Sequence, residues 1–297
     1  MKTNRISILC FLGCFCTCLA IGQMPNTNIH YLEYNYTNGY MDVVKHIELT
    51  NGNGYNNQPS FSRDCKYIYF TSNRADSSKT DLYALHRRRL KLSTISSNAL
   101  SEYSPTQDLI NRNEIWHVRV ETDQKQHLRK TTEIHGSASN MCLASDSVGY
   151  FALSDGKDIG LIILNKGLEF HTYALGEQAT KLIRTNCGRF LNYNRFDNSY
   201  VFYGYSSKGD YLYRFDRATM TVTDSLKAIS GCKDYGIDKS GNIFGGSEGK
   251  LYSNSFNGDG NWTKVVDLSA YSSSFYRLAF CTCGRHMCFV SYAGNKP

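Results

Sequence analysis

Apolar and polar positions alternate with period 2 over short runs along most of this chain, the pattern of strands half-buried in sheets. The stretch 56–85, NNQPSFSRDCKYIYFTSNRADSSKTDLYAL, shows the unit most clearly. Strands are predicted at 59–63, 67–71 and 81–85, with a turn at Asp64-Cys65-Lys66 and a polar loop over 72–79. A unit this small cannot bury both faces alone, so it requires copies of itself. Further units carry strands at 102–106 and 114–121, at 148–153 and 159–164, and at 189–194, 200–205, 211–215 and 220–226. Others follow at 235–238, 243–244, 250–253 and 264–268, and finally at 276–281 and 286–292. Turn centres at 65, 112, 156, 198, 241 and 284 give spacings of 47, 44, 42, 43 and 43.

A period in the low forties with about four short strands per repeat predicts a β-propeller. The sixth unit stops at Pro297 after two strands, and two orphan runs, 29–36 and 43–49, flank Asn38-Gly39 near the other terminus. Together they make one complete blade. The expected fold is all-β: a six-bladed propeller, its last blade closed by the N-terminal strands. Closure of this kind removes free sheet edges. One domain is expected over 23–297.

Residues 1–22 read as a signal peptide: Lys2 and Arg5, an uncharged apolar run over 6–21, and a cleavage site at Ala20-Ile21-Gly22 before Gln23. No later segment is apolar enough to span a membrane as a helix, which predicts a secreted or periplasmic protein and leaves surface association open. The formal charge of +7 falls to +5 without Lys2 and Arg5, and its dispersion argues against nucleic acid. A monomer is expected.

Of the eleven cysteines, Cys10, Cys14, Cys16 and Cys18 fall in the leader, and seven remain. An odd count leaves at least one thiol unpaired within a monomer. Equivalent positions on adjacent blades suggest two disulfides, Cys65–Cys283 and Cys187–Cys232. The Cys281-x-Cys283-x4-Cys288 run beside His286 lacks the usual zinc-knuckle spacing, so neither metal nor other cofactor is expected. The Asp155-Gly156-Lys157-Asp158 and Asn257-Gly258-Asp259-Gly260 runs are ordinary turn chemistry.

The run Gln58-Pro59-Ser60-Phe61-Ser62-Arg63-Asp64-Cys65-Lys66-Tyr67-Ile68-Tyr69-Phe70-Thr71-Ser72-Asn73 resembles the WD40-like repeat of TolB-like propellers, an exported bacterial family. That repeat runs roughly Pro-x-Phe-Ser-Pro-Asp-Gly-Lys-x-Ile-x-Phe-x-Ser; here Arg63 replaces the second proline and Cys65 the glycine. Glu102-Tyr103-Ser104-Pro105-Thr106 is similar to the family's second repeat. The resemblance implies a six-bladed ring with a central channel, usually a non-catalytic interaction module.

In such a ring the loops between blades crowd around one mouth of the channel. The candidate binding residues there are Asn57, Gln58, Glu102, Tyr103, Tyr150, Arg189, Asp234 and Arg277, with Asn56, Tyr235 and Tyr276 nearby. Two arginines facing two carboxylates would orient a charged group; the same four residues would equally tie blades together. No Gly-x-Ser-x-Gly elbow or His-Glu-x-x-His spacing is present, so no catalytic residue is expected. The expected function is binding of a protein, peptide or small ligand at this mouth. The alternative is a propeller hydrolase or lyase acting on a sugar or peptide, with Asp234 and Glu102 as its only candidate carboxylate pair.

Overall fold

The computed structural model describes residues 24–51, 54–132, 140–143, 147–156, 158–177 and 179–294. The expected leader and its cleavage site lie outside the described residues, as does the side chain of Cys142.

The chain opens with β1 (Thr27–Thr37) and β2 (Tyr40–Glu48). Blade 1 is β3 (Asn56–Phe61), β4 (Tyr67–Ser72), β5 (Asp81–His86) and β6 (Lys91–Thr94). Blade 2 is β7 (Glu102–Gln107), β8 (Glu114–Val120), β9 (Gln126–Thr132) and β10 (Asn140–Leu143). Blade 3 holds β11 (Val148–Leu153), β12 (Asp158–Leu164), β13 (Leu168–Ala174) and β14 (Lys181–Arg184). Blade 4 holds β15 (Cys187–Asn194), β16 (Ser199–Ser206), β17 (Gly209–Asp216) and β18 (Thr221–Lys227). Blade 5 holds β19 (Tyr235–Ile237), β20 (Ile243–Ser247), β21 (Lys250–Asn254) and β22 (Thr263–Asp267). The sixth blade has the order β2-β1-β24-β23, with β23 at Phe275–Phe280 and β24 at His286–Tyr292.

This is the six-bladed ring that the turn spacing predicts. β1 lies antiparallel on β24 from Thr27↔Tyr292 to Glu33↔His286, so the N-terminal strands complete the last blade. Ile29, Tyr31, Leu32 and Tyr34 on β1 are buried, which drives the closure. No described helix is long and apolar enough to cross a membrane.

The core is divided into wedges between blades. Ile68, Phe70 and Tyr83 of blade 1 pack on Ile29, Tyr31 and Val290 of blade 6, while Leu32 and Phe289 of blade 6 face Phe244 and Leu251 of blade 5. Phe170 of blade 3 stacks on Phe202 of blade 4 at 4.4 Å between ring centroids. A blade therefore has no core without its neighbours, the physical reason the repeats form a ring.

Five of the six inner-hairpin turns share a left-handed residue despite divergent sequences; the blade 2 turn at Asn111-Arg112-Asn113 does not. Gly156, Gly241 and Gly284 have φ of 93°, 82° and 72°, and Asn198 and Cys65 adopt 57° and 58° at the equivalent place. Cys65 thus occupies a left-handed position that favours glycine. It is held there by a disulfide to Cys281 at the end of β23, with Cα atoms 6.0 Å apart.

This corrects the first expected disulfide. Cys281 closes β23 facing blade 1, whereas Cys283 sits in the turn itself, its Sγ 3.1 Å from Cys281 Sγ. The second expected disulfide is also overturned, and Cys187 and Cys232 are buried thiols. Cys187 packs with Phe170 and Tyr200 in the wedge between blades 3 and 4, and Cys232 with Tyr203 and Tyr235 in that between blades 4 and 5. The two sulfurs lie on opposite sides of blade 4.

Candidate binding channel

The inner strands β3, β7, β11, β15, β19 and β23 surround a central cavity of about 450 Å³. Of the sequence-predicted residues, Gln58, Tyr150, Arg189, Asp234 and Arg277 line it.

Three inner strands share a device that sequence reasoning missed. Their registers slip between Asn57 and Ser60, between Tyr103 and Thr106, and between Tyr276 and Ala279. Within each slip one non-glycine residue turns left-handed: Gln58 at φ 55°, Ser104 at 57° and Arg277 at 55°. Bulges bend a strand and re-aim the side chain they carry. All three of these residues reach the channel. Gln58 Oε1 also accepts the Ser104 backbone N–H at 3.0 Å, locking blade 1 to blade 2.

The charged centre of the mouth is built from three blades. Asp234, directly before β19, accepts from Arg189 of β15 through one carboxylate oxygen, and Arg277 Nη1 of β23 lies 3.7 Å from the other. Asp234 is 4% exposed at its side chain and Arg277 18%, whereas Arg189 reaches 39%. The Arg277 guanidinium lies over the Tyr150 ring at 5.0 Å and that of Arg189 over Tyr276 at 5.7 Å, cation–π placements that hold both planes facing inward. Burial is the largest influence on Arg277 and opposes its charge, but Asp234 together with Tyr150 and Tyr55 holds the guanidinium pKa above its usual value. The Nε atoms of both arginines are buried without a hydrogen-bond partner.

Burial pushes the Tyr276 hydroxyl up to about 12, against the opposing hydrogen bond from Asn57. Asn57 Nδ2 donates to Tyr276 Oη at 3.0 Å, so Asn57 ties blade 1 to blade 6 behind the channel wall. Tyr103 also stands behind the wall, edge-on to Tyr55 at 6.4 Å.

Glu102 departs from the sequence expectation. Its side chain is fully buried at the start of β7, where Arg119 Nη2 and His117 Nε2 lie 2.8 Å and 3.0 Å from Oε1 and Ser96 donates to the other oxygen. Burial alone would raise this carboxyl; the hydrogen bonds and charge of His117, with those of Ser96 and Arg119, reverse that and bring it to about 2. Arg119 and His117 are neighbours on β8, directly across from β7, so the register of blade 2 claims Glu102 for itself. The mouth consequently has two arginines sharing one carboxylate. Glu102 and Asp234 are held by separate partners and do not form a pair.

Strand order, closure and channel define a six-bladed β-propeller with an open, arginine-bearing axial cavity. No family model and no curated protein matches the sequence. Solved structures show the likeness. A putative TolB from Agrobacterium tumefaciens superposes with a TM-score of 0.66 at 12% identity, over 90% of this chain and 98% of that one. TolB from Acinetobacter baumannii gives 0.60 at 11% identity, over 93% of this chain and 66% of its own length. An oligogalacturonate lyase from Vibrio parahaemolyticus gives 0.54 at 10% identity, over 92% of this chain and all (100%) of that one. At these identities the likeness is one of fold, and it spans both TolB proteins and a propeller enzyme.

Proposed function

We propose that this protein is an exported, non-enzymatic binding module whose channel mouth captures an anionic group of a peptide or small ligand. The observation that carries the reading is the sharing of Asp234 by Arg189 and Arg277. It leaves the mouth one positive charge in excess, with unpartnered guanidinium Nε–H groups. Guanidinium forks present fixed donors that match a carboxylate in two contacts. Tyr150 and Tyr276 supply aromatic area beside them at little entropic cost. Export rests on the leader-like residues 1–22, and the location proposed is periplasmic or extracellular.

A lyase or hydrolase reading draws on the Vibrio neighbour. Against it, the two carboxylates that line the channel, Asp234 and Asp238, are both engaged. Asp234 is held by arginines, and Asp238 accepts from the Ser240 and Asn242 backbone at 2.9 Å each. A general base needs a carboxylate free to take a proton.

The test is to titrate the mature chain with a library of peptides ending in free or amidated carboxyl groups, in parallel with an oligogalacturonate cleavage assay. Binding of the free-acid peptides that Arg189→Ala and Arg277→Ala each weaken by about tenfold is expected. Turnover of oligogalacturonate, lost in Asp234→Asn, would replace this reading with the enzymatic one.

A further inference from the structure

The opposite end of the channel carries a different charge pattern. The first hairpin turn of every blade lies on this face, since all blades run their inner strands in the same direction. Arg63 sits in the β3–β4 turn, Arg195 in the β15–β16 turn and Lys239 in the β19–β20 turn, and all three line the cavity. Among the described residues none of the three has a carboxylate within ion-pair distance. Arg63 donates to the Leu109 carbonyl and Lys239 Nζ to the Cys283 carbonyl at 3.2 Å. The Arg195 guanidinium makes no hydrogen bond or ion pair with any described residue.

Carboxylates stand close by, but each has partners, in its own turn or on a neighbouring blade. Asp64 is bound by Lys66 at 2.9 Å and Ser62 at 2.8 Å. Asp155 is bound by Arg217 at 2.9 Å, and Asp238 by its own turn as described above. Three positive charges from blades 1, 4 and 5 therefore converge on one opening, where Asp238 is the one carboxylate among the described residues lining that end, leaving an excess of positive charge. Partial desolvation at the channel wall, and then the Arg63 charge, lower the Arg195 pKa from its usual value. At the other mouth, by contrast, Asp234 is placed between Arg189 and Arg277.

Like charges held together in a folded protein destabilise it unless something neutralises them. We propose that this turn face is a second binding site, in which Arg63, Arg195 and Lys239 together hold a multivalent oxyanion, a polyphosphate or a polycarboxylate. Blades 1 and 4 are opposite in the ring, so a ligand with several anionic oxygens bridges them where a single small anion reaches one. Phe196 and Ile110, 65% and 70% exposed on turns of the same face, offer apolar contact to the organic part of such a ligand. The site uses residues separate from those of the carboxylate-capturing mouth and stands without that reading.

Calorimetric titration of the mature chain with pyrophosphate and with citrate, at low and at physiological salt, tests this. Saturable one-to-one binding is expected, weakening with salt. Arg195→Ala and Lys239→Ala should each lower affinity about tenfold, and Arg195→Glu should abolish it. Lys66→Ala, an exposed turn residue outside the cavity, should leave it unchanged. Circular dichroism checks that each variant is folded. Preference for pyrophosphate or for citrate distinguishes phosphate from carboxylate ligands within the proposal. Three outcomes overturn it: no saturable binding of either probe, unchanged affinity in folded Arg195→Glu, or binding that Arg189→Ala removes and Arg195→Ala spares.

Discussion

At the scale of single residues, position within the sheet decides what a polar side chain does. Glu102 is one residue from Tyr103 and two from the channel-lining Ser104, yet it is engaged in contacts within blade 2 and, through Ser96, with blade 1 rather than in the channel. Replacing it with alanine would strand His117 and Arg119 in the interior. The expected loss is about 3–5 kcal/mol of stability, read by chemical denaturation, with ligand affinity at the mouth unchanged in the folded fraction.

The same carboxyl makes folding pH-dependent. Its folded pKa, about 2, lies below the unfolded value of 4.5, so its contribution is complete above 4.5 and is lost as pH falls toward 2. His286 acts in the same direction higher up the scale. Burial, then the Arg87 charge, lowers it from 6.5 to about 4, so the unfolded chain binds more protons between those values. Stability should hold above pH 6.5 and fall steadily on acidification, and His286→Gln should flatten the 4–6.5 part of the thermal-denaturation profile. An unchanged slope in that variant would assign the loss to other groups.

The cysteines at the join of blades 1 and 6 give a third residue-level expectation. With Cys283 Sγ 3.1 Å from Cys281 Sγ, Cys281→Ser should let Cys283 bond Cys65 instead, seen by peptide mapping without reduction. Removing both partners should cost about 2–4 kcal/mol.

At the scale of elements, the bulges in β3, β7 and β23 connect local strain to the channel. A left-handed L-residue costs roughly 1–2 kcal/mol, partly offset on substitution by the extra freedom glycine gives the unfolded chain. Ser104→Gly should therefore be neutral to about 1 kcal/mol stabilising while leaving the Gln58–Ser104 backbone bond in place. Pronounced destabilisation would mean the side chain is needed there. The period-2 patterns, turn positions and most strand limits were legible because alternation and turn residues are local properties. The bulges were not: Gln58-Pro59 and Ser104-Pro105 reveal an extended segment but not a register slip, which depends on the partner strand. Arg189, Asp234 and Arg277 were recognisable as charged residues at equivalent blade positions. That one carboxylate would serve both arginines, while Glu102 turned inward, depended on which strand lay beside which.

At the scale of the whole molecule, ring closure by β1 and β2 is the condition for everything at the hub. Deleting residues 24–49 would leave blade 6 with two strands and expose an edge. Such a chain should be aggregated or molten by size-exclusion chromatography and near-ultraviolet dichroism. Added 24–49 peptide should restore a compact monomer. Leu32→Ala, in the wedge between blades 5 and 6, should cost about 2–5 kcal/mol.

The repeat, the number of blades and the meeting of the two chain ends followed from sequence alone, because a 42–47-residue period and unpaired terminal strands admit one arrangement without free edges. Tertiary structure alone decided which sulfurs bond, which carboxylate reaches the lumen, and that cations gather at both ends of the channel. Those outcomes depend on distances between blades far apart in sequence, and distances of that kind are fixed by side-chain packing in the wedges rather than by any local pattern.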